Sequence, residues 1–75
     1  GVYELGTPLF KSMELRLDNG KTFKVTAPNL SKENIYIKSA TLDGEPYDKT
    51  FITHDMIMRG SHLELEMSSN PDKNL

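Results

Sequence analysis

The chain has 75 residues, a formal net charge of −2 and no cysteine, so it fits one domain without a disulfide. A core of this size supplies only about 3–5 kcal/mol of net stability, and small scaffolds usually add a disulfide or a metal. Two isolated histidines without thiols do not make a structural zinc site. We therefore expect residues 1–75 to form a single small domain that normally leans on something larger.

Charge and hydropathy argue against two classes of partner. The nine basic residues are scattered, whereas a nucleic-acid surface needs clustered Lys and Arg. No apolar run exceeds three residues, as in Met56-Ile57-Met58, which is too short for a membrane span or a signal peptide. The sequence thus predicts neither a nucleic-acid partner nor a membrane span.

The first half predicts a hairpin. Residues Phe10 to Leu17 alternate between apolar and polar, which is typical of a half-buried strand. The turn sequence Asp18-Asn19-Gly20 follows. A loop of two residues would mix the apolar face of one strand with the polar face of the next. A loop of three residues, with a left-handed glycine, instead places Leu15 opposite Phe23.

The segments that flank this hairpin read as turns. Gly6-Thr7-Pro8 punctuates the opening segment, and Pro28 ends the second strand because proline cannot donate to a ladder. Asn29-Leu30-Ser31 matches the glycosylation sequon, but such triplets are frequent by chance. We interpret it as a turn built on the Asn and Ser side chains.

The second half predicts a central hairpin whose strands, Ile35 to Leu42 and Tyr47 to Ile52, flank a type I′ turn at Asp43-Gly44. This register places Ala40 opposite Tyr47 and Tyr36 opposite Phe51, and both faces carry apolar groups. Strands that are apolar on both sides are usually covered on both sides.

A helix and a last strand complete the chain. The helix over His54 to Arg59 is capped by Thr53 and ended by Gly60, and Leu63 to Met67 alternate as a strand. Residues 68–75 are polar and predict a frayed tail. The predicted fold class is all-β, mainly antiparallel: a small sheet or sandwich of about five strands from two hairpins plus a last strand, with one connector helix near 54–59.

Few residues suggest chemistry. Glu64 and Glu66 point the same way about 7 Å apart on the last strand, a separation that an acid and base of an inverting glycosidase could have. A solvated strand face is the favoured interpretation, because no predicted pocket surrounds them. His54-Asp55 could form half of a metal or acid/base site, although a histidine at a helix start more often packs or donates a hydrogen bond. His62 is a weaker candidate of the same kind.

The tyrosines suggest an alternative, in which their rings stack on a sugar as in a carbohydrate-binding module. Tyr36 and Tyr47 share a predicted face with Ala40, which favours a core position with the hydroxyls at the rim. The candidate sugar-contact residues are Tyr3, Tyr47 and His54. No catalytic, cofactor-binding or metal-binding residue is assigned, since the glycines are isolated at turns and no nucleophile motif occurs.

A family resemblance rests on five motifs in fixed order: Tyr3-Glu4-Leu5-Gly6-Thr7-Pro8-Leu9-Phe10, Leu17-Asp18-Asn19-Gly20-Lys21-Thr22-Phe23, Glu33-Asn34-Ile35-Tyr36-Ile37, Thr41-Leu42-Asp43-Gly44-Glu45-Pro46 and Thr53-His54-x-x-Ile57-x-x-Gly60. Together they resemble the extreme C-terminal region of glycoside hydrolase family 92, from about Tyr3 to Met67. Thr7 stands where a serine is expected, and Phe51 where another aromatic, often tryptophan, is usual.

The resemblance implies that the chain is the C-terminal accessory β region of a larger bacterial enzyme, of a kind abundant in Bacteroides-like organisms. Such enzymes are mostly exo-acting α-1,2-mannosidases that invert configuration and depend on calcium. They have a β-sandwich and an (α/α)6 barrel, and the acid, base and calcium ligands lie in those upstream regions. The parent enzyme is then expected in the periplasm, at the cell surface or secreted.

Two hypotheses for the chain itself follow. In the first, it supports the catalytic barrel, with the central hairpin as the docking surface and no activity of its own. In the second, it is a carbohydrate-binding β module for mannose-containing glycans, which requires an exposed tyrosine ring. The first predicts an exposed apolar patch on the chain.

Overall fold

The computed structural model describes residues 2–6 and 8–71, which form seven strands and one short helix. The elements are β1 (Val2–Glu4), β2 (Ser12–Arg16), β3 (Thr22–Thr26), β4 (Tyr36–Leu42), β5 (Glu45–Tyr47), β6 (Phe51–Thr53), α1 (His54–Met58) and β7 (His62–Ser68). The strands make a five-stranded sheet in the order β2-β3-β7-β4-β5 and a two-stranded sheet of β1 and β6. The predicted all-β class is confirmed.

The first hairpin has the predicted register. Leu15 lies opposite Phe23 in the antiparallel pair of β2 and β3. The backbone N–H of Leu17 donates to the carbonyl of Lys21 at 2.9 Å, which closes the three-residue loop. Gly20 has a φ of 84°, the left-handed conformation that this loop requires of its last residue.

The second hairpin is shorter than predicted. Asp43 and Gly44 have φ values of 52° and 85°, as a type I′ turn requires, and Ala40 lies opposite Tyr47. The predicted pairing of Tyr36 with Phe51 is wrong, because β5 ends at Tyr47. Residues 48–50 are exposed and leave the sheet, and Phe51 begins a separate strand.

That separate strand, β6, builds the second sheet. It pairs antiparallel with β1, which places Tyr3 opposite Ile52. Ile52 is buried in the core, so this small sheet covers part of the inner face of the larger one. The sequence predicted no strand at β1, and the predicted turn beside it contains Thr7, which lies outside the described residues.

The last strand occupies the middle of the larger sheet. Strand β7 pairs parallel with β3 and antiparallel with β4. Its burial alternates strictly, as the sequence predicted, with Leu63, Leu65 and Met67 only 1%, 2% and 3% exposed. The rest of the buried apolar core consists of Phe23, Ala27, Ala40, Tyr47 and Ile52.

Helix α1 has the predicted start. The Thr53 hydroxyl accepts a hydrogen bond from the backbone N–H of Met56 at 3.3 Å. After the helix, Gly60 turns the chain with a φ of 75°, and a Cβ there would lie 2.9 Å from the Cβ of Lys21. A glycine is therefore needed both for the backbone conformation and for the close approach of the first hairpin.

The sequon asparagine fastens two segments together. The Asn29 side-chain oxygen accepts from the backbone N–H of Met67 at 2.9 Å, and its amide nitrogen donates to the Met67 carbonyl at 2.8 Å. The side chain thus replaces a strand residue beside β7, just after β3 has ended. The triplet does have a structural role, but the Asn29 side chain bonds a distant strand and does not build the local turn as predicted.

We predict that Asn29→Asp lowers the free energy of unfolding by about 1–3 kcal/mol, because a carboxylate loses the donor and faces the Met67 carbonyl. Urea unfolding followed by circular dichroism at neutral pH measures this loss. Lys32→Ala, at an exposed position of the same loop, serves as the control and should leave the unfolding midpoint unchanged. Equal unfolding midpoints for Asn29→Asp and the parent chain would contradict a stabilising role for the two hydrogen bonds between Asn29 and Met67.

Candidate functional site

The carboxylate pair on β7 lies on a solvated face. Glu64 and Glu66 are both exposed. Glu66 accepts a hydrogen bond from the Ser39 hydroxyl at 3.3 Å and lies 3.4 Å from the Lys38 ammonium. These are surface contacts of small energy, and neither glutamate lines either of the two clefts described below. The arrangement does not resemble an acid and base that face each other across a substrate.

The two histidines are separated by the end of helix α1. His54 is exposed at the first helical residue. His62 lies at the start of β7, with its Nε2 atom 2.9 Å from the Thr26 hydroxyl. Within residues 2–6 and 8–71, no three His, Cys, Asp or Glu side chains come together as a metal site requires. No residue described here is therefore assigned to the calcium that the resemblance implies.

The turn at Asp43 is the main electrostatic feature near His62. The Asp43 carboxylate accepts a hydrogen bond from the His62 backbone N–H at 2.8 Å. This bond is the largest cause that lowers the pKa of Asp43 below its usual value of 3.8, and it outweighs the opposing effect of desolvation. The carboxylate ties the β4–β5 turn to the start of β7, which is a structural role.

The three candidate sugar-contact residues surround β6. Tyr3 lies on the neighbouring strand β1, the hydroxyl of Tyr47 donates to the carbonyl of Phe51, and His54 follows the strand directly. The Tyr47 ring is only 9% exposed, and burial raises the pKa of its hydroxyl. By contrast, 49% of Tyr3 is exposed, so it is the tyrosine of the candidate set whose ring can meet a ligand.

An apolar surface lies elsewhere, at the free edge of the larger sheet. We call it the apolar strip, and it consists of Leu9, Phe10, Met13, Leu15 and Ile35, which are 84%, 63%, 38%, 52% and 40% exposed. The sequence placed Met13 and Leu15 on the inner face of the sheet, and the pairing with β3 agrees. Alternation cannot tell whether anything covers that face, which is why their exposure was missed.

Two shallow clefts border the strip. One, of about 330 Å³, runs from Leu9 and Met13 inward to Ile52 and Leu65. The other, of about 500 Å³, lies between Leu9, Phe10 and Ile35. Leu9 lines both clefts and so joins Phe10, Met13 and Ile35 into one apolar surface. Leu15 extends it along β2, on the same face as Met13.

Comparison with known proteins gives the chain its family. The sequence profile of the glycosyl hydrolase family 92 catalytic domain matches residues 1–69. A protein described as an uncharacterized secreted glycosidase, from Arthroderma benhamiae, is 35% identical over 69 residues, which are 88% of this chain and 9% of that protein. The fold and these matches define a β-rich part of a glycoside hydrolase.

Solved structures agree with this class. A family GH92 α-mannosidase from Bacteroides thetaiotaomicron superposes with a TM-score of 0.88 at 36% identity, over 96% of this chain and 10% of that one. A family GH92 inverting mannosidase from the same organism gives 0.87 at 33% identity, over 99% and 11%. The chain belongs to glycosyl hydrolase family 92, and it spans about a tenth of the length of these relatives.

One further observation concerns membranes. Among residues 2–6 and 8–71, no helix is long and apolar enough to cross a bilayer.

Proposed function

We propose that this chain is an accessory β region, near the C-terminus, of an exo-acting α-1,2-mannosidase, and that it supports the catalytic barrel without being catalytic itself. The observation that carries the proposal is the small fraction of each relative's length that this chain matches. It matches about a tenth of each compared relative, over a stretch where no two carboxylates border either of the two clefts.

The activity assigned to the whole hydrolase comes from its relatives. One matched structure is an α-mannosidase and another an inverting mannosidase, which supports hydrolysis of α-mannosides with inversion. Preference for the α-1,2 linkage, dependence on calcium and release to the cell exterior are parts of the same proposal. The secreted relative supports the last of these. The acid, the base and the calcium ligands then belong to the larger remainder of the polypeptide.

A complementation experiment tests the supporting role. The complete hydrolase is expressed without the stretch that corresponds to this chain, and the chain is supplied as a separate polypeptide. We expect the truncated enzyme to hydrolyse an α-1,2-linked mannose disaccharide poorly and to recover when the chain is added, because binding to the native form stabilises it. The chain alone should show no hydrolysis.

The control is the same chain carrying Leu65→Asp, which places a charge at a position that is only 2% exposed and should prevent folding. It should not restore activity. A truncated hydrolase that is as stable and active without the chain as with it would overturn the supporting role.

A second candidate function is a glycan-binding β module, and the exposed ring of Tyr3 favours it. Amide-resolved NMR titration of the chain with an α-1,2-linked mannose disaccharide, with and without calcium, tests this. Binding should give saturable shifts near Tyr3 that Tyr3→Ala abolishes. Tyr47→Phe, which keeps the buried ring, should preserve them. A well-dispersed spectrum without any shift would remove this function.

A further inference from the structure

We propose that the apolar strip, rather than the central hairpin, is the surface that packs against the larger remainder of the hydrolase. The occupant is an apolar segment of that same polypeptide. This inference rests on the proposed function, and it adds which face of the chain is covered and which remains in water.

The strip is an extension of the core. Met13 and Leu15 lie on the same face of the sheet as the buried Phe23, but the small β1–β6 sheet does not reach over them. The cleft of about 330 Å³ begins at Leu9 and Met13 and has the core residues Leu63 and Leu65 in its lining. An apolar side chain placed in this cleft would therefore continue the packing of the core, with direct gain from the apolar area removed from water.

The second cleft indicates the charge of the occupant. Its apolar lining is flanked by Lys11 and Lys32, and no acidic residue lines it. A segment that is apolar in the centre and acidic at its margin would complement this surface, since charges at the rim of an interface favour the correct docking orientation.

The opposite face of the same sheet has the character of a solvent surface. Glu14 and Lys24 lie side by side there, with their charged atoms 4.0 Å apart. Glu64 and Glu66 continue this face on β7. The two sides of the sheet edge thus differ sharply in polarity, although β2 exposes all five of its residues.

The comparisons supply the occupant. About nine tenths of each compared relative lies outside the stretch that matches this chain. The profile that matches residues 1–69 is that of a catalytic domain, which makes the remainder of the hydrolase the partner that this stretch is joined to. Adjoining exposed apolar side chains of this kind are typical of a surface that another element covers.

Thiol labelling tests the proposal with adjacent residues. The chain has no cysteine, so Leu15→Cys and Glu14→Cys each add one thiol, on opposite faces of β2. Leu15 and Glu14 are both exposed in the chain by itself, so reagent reaches a thiol at either position. Each variant is made in the complete hydrolase, and labelling of its own peptide is followed by mass spectrometry.

We expect Leu15→Cys to react at least about tenfold more slowly than Glu14→Cys in the folded hydrolase, and at the same rate after denaturation. Met13→Cys should behave like Leu15→Cys. Equal, fast labelling of all three would overturn the assignment of the strip. If complementation nevertheless succeeds, the supporting role stands and a different face docks. Protection of Leu15→Cys that disappears on dilution would also overturn it, because a second copy would then be the occupant.

Discussion

The structure depends on strand β7, which forms the centre of the larger sheet. It pairs with β3 on one side and with β4 on the other, and its inward side chains are the most deeply buried of the long apolar residues in the described part of the chain. Asn29 clamps its end, and Asp43 fastens its start. Without β7 the two hairpins would have no common neighbour, since β3 and β4 do not pair with each other.

The covering of this sheet is incomplete. The two-stranded sheet contributes Ile52 to the core, and the cleft lined by Ile52 and Leu65 opens toward Met13 and Leu9. A single core of 75 residues provides little stability, and no disulfide supplements it. Packing of an additional apolar segment on this side would contribute both stability and a defined position for the chain. The small core without a disulfide and the uncovered apolar side of the sheet are thus both consistent with a chain that is part of a larger hydrolase.

Local patterns in the sequence predicted local structure well. The three-residue loop followed from the alternation of side chains along the two strands. Only that loop length pairs the apolar face that carries Leu15 with the apolar face that carries Phe23. The cap at Thr53 and the turn at Asp43-Gly44 followed from side-chain chemistry and from the conformations that those residues favour. The family followed from the order of several such motifs.

Long-range structure was harder to predict. The parallel pairing of β3 with β7 and the pairing of β1 with β6 join segments far apart in sequence, and no periodicity specifies them. The sequence pattern predicted one continuous strand from Tyr47 to Ile52. In the structure the chain leaves the larger sheet after Tyr47, and a separate strand begins at Phe51. For the candidate site, the sequence favoured a core position for Tyr47, and the structure confirms it, but nothing in the sequence showed that Tyr3 is exposed. Burial depends on the neighbours that pairing supplies.

Amide hydrogen exchange of β2 and β7, in the isolated chain and in the complete hydrolase, tests most directly whether the hydrolase completes this fold. We expect β7 amides to exchange slowest in the isolated chain and β2 amides to exchange near the rate of open segments. In the complete hydrolase, protection of β2 should rise toward that of β7. If β2 is as protected as β7 in the isolated chain, and unchanged in the hydrolase, the fold is complete by itself and the hydrolase does not cover β2.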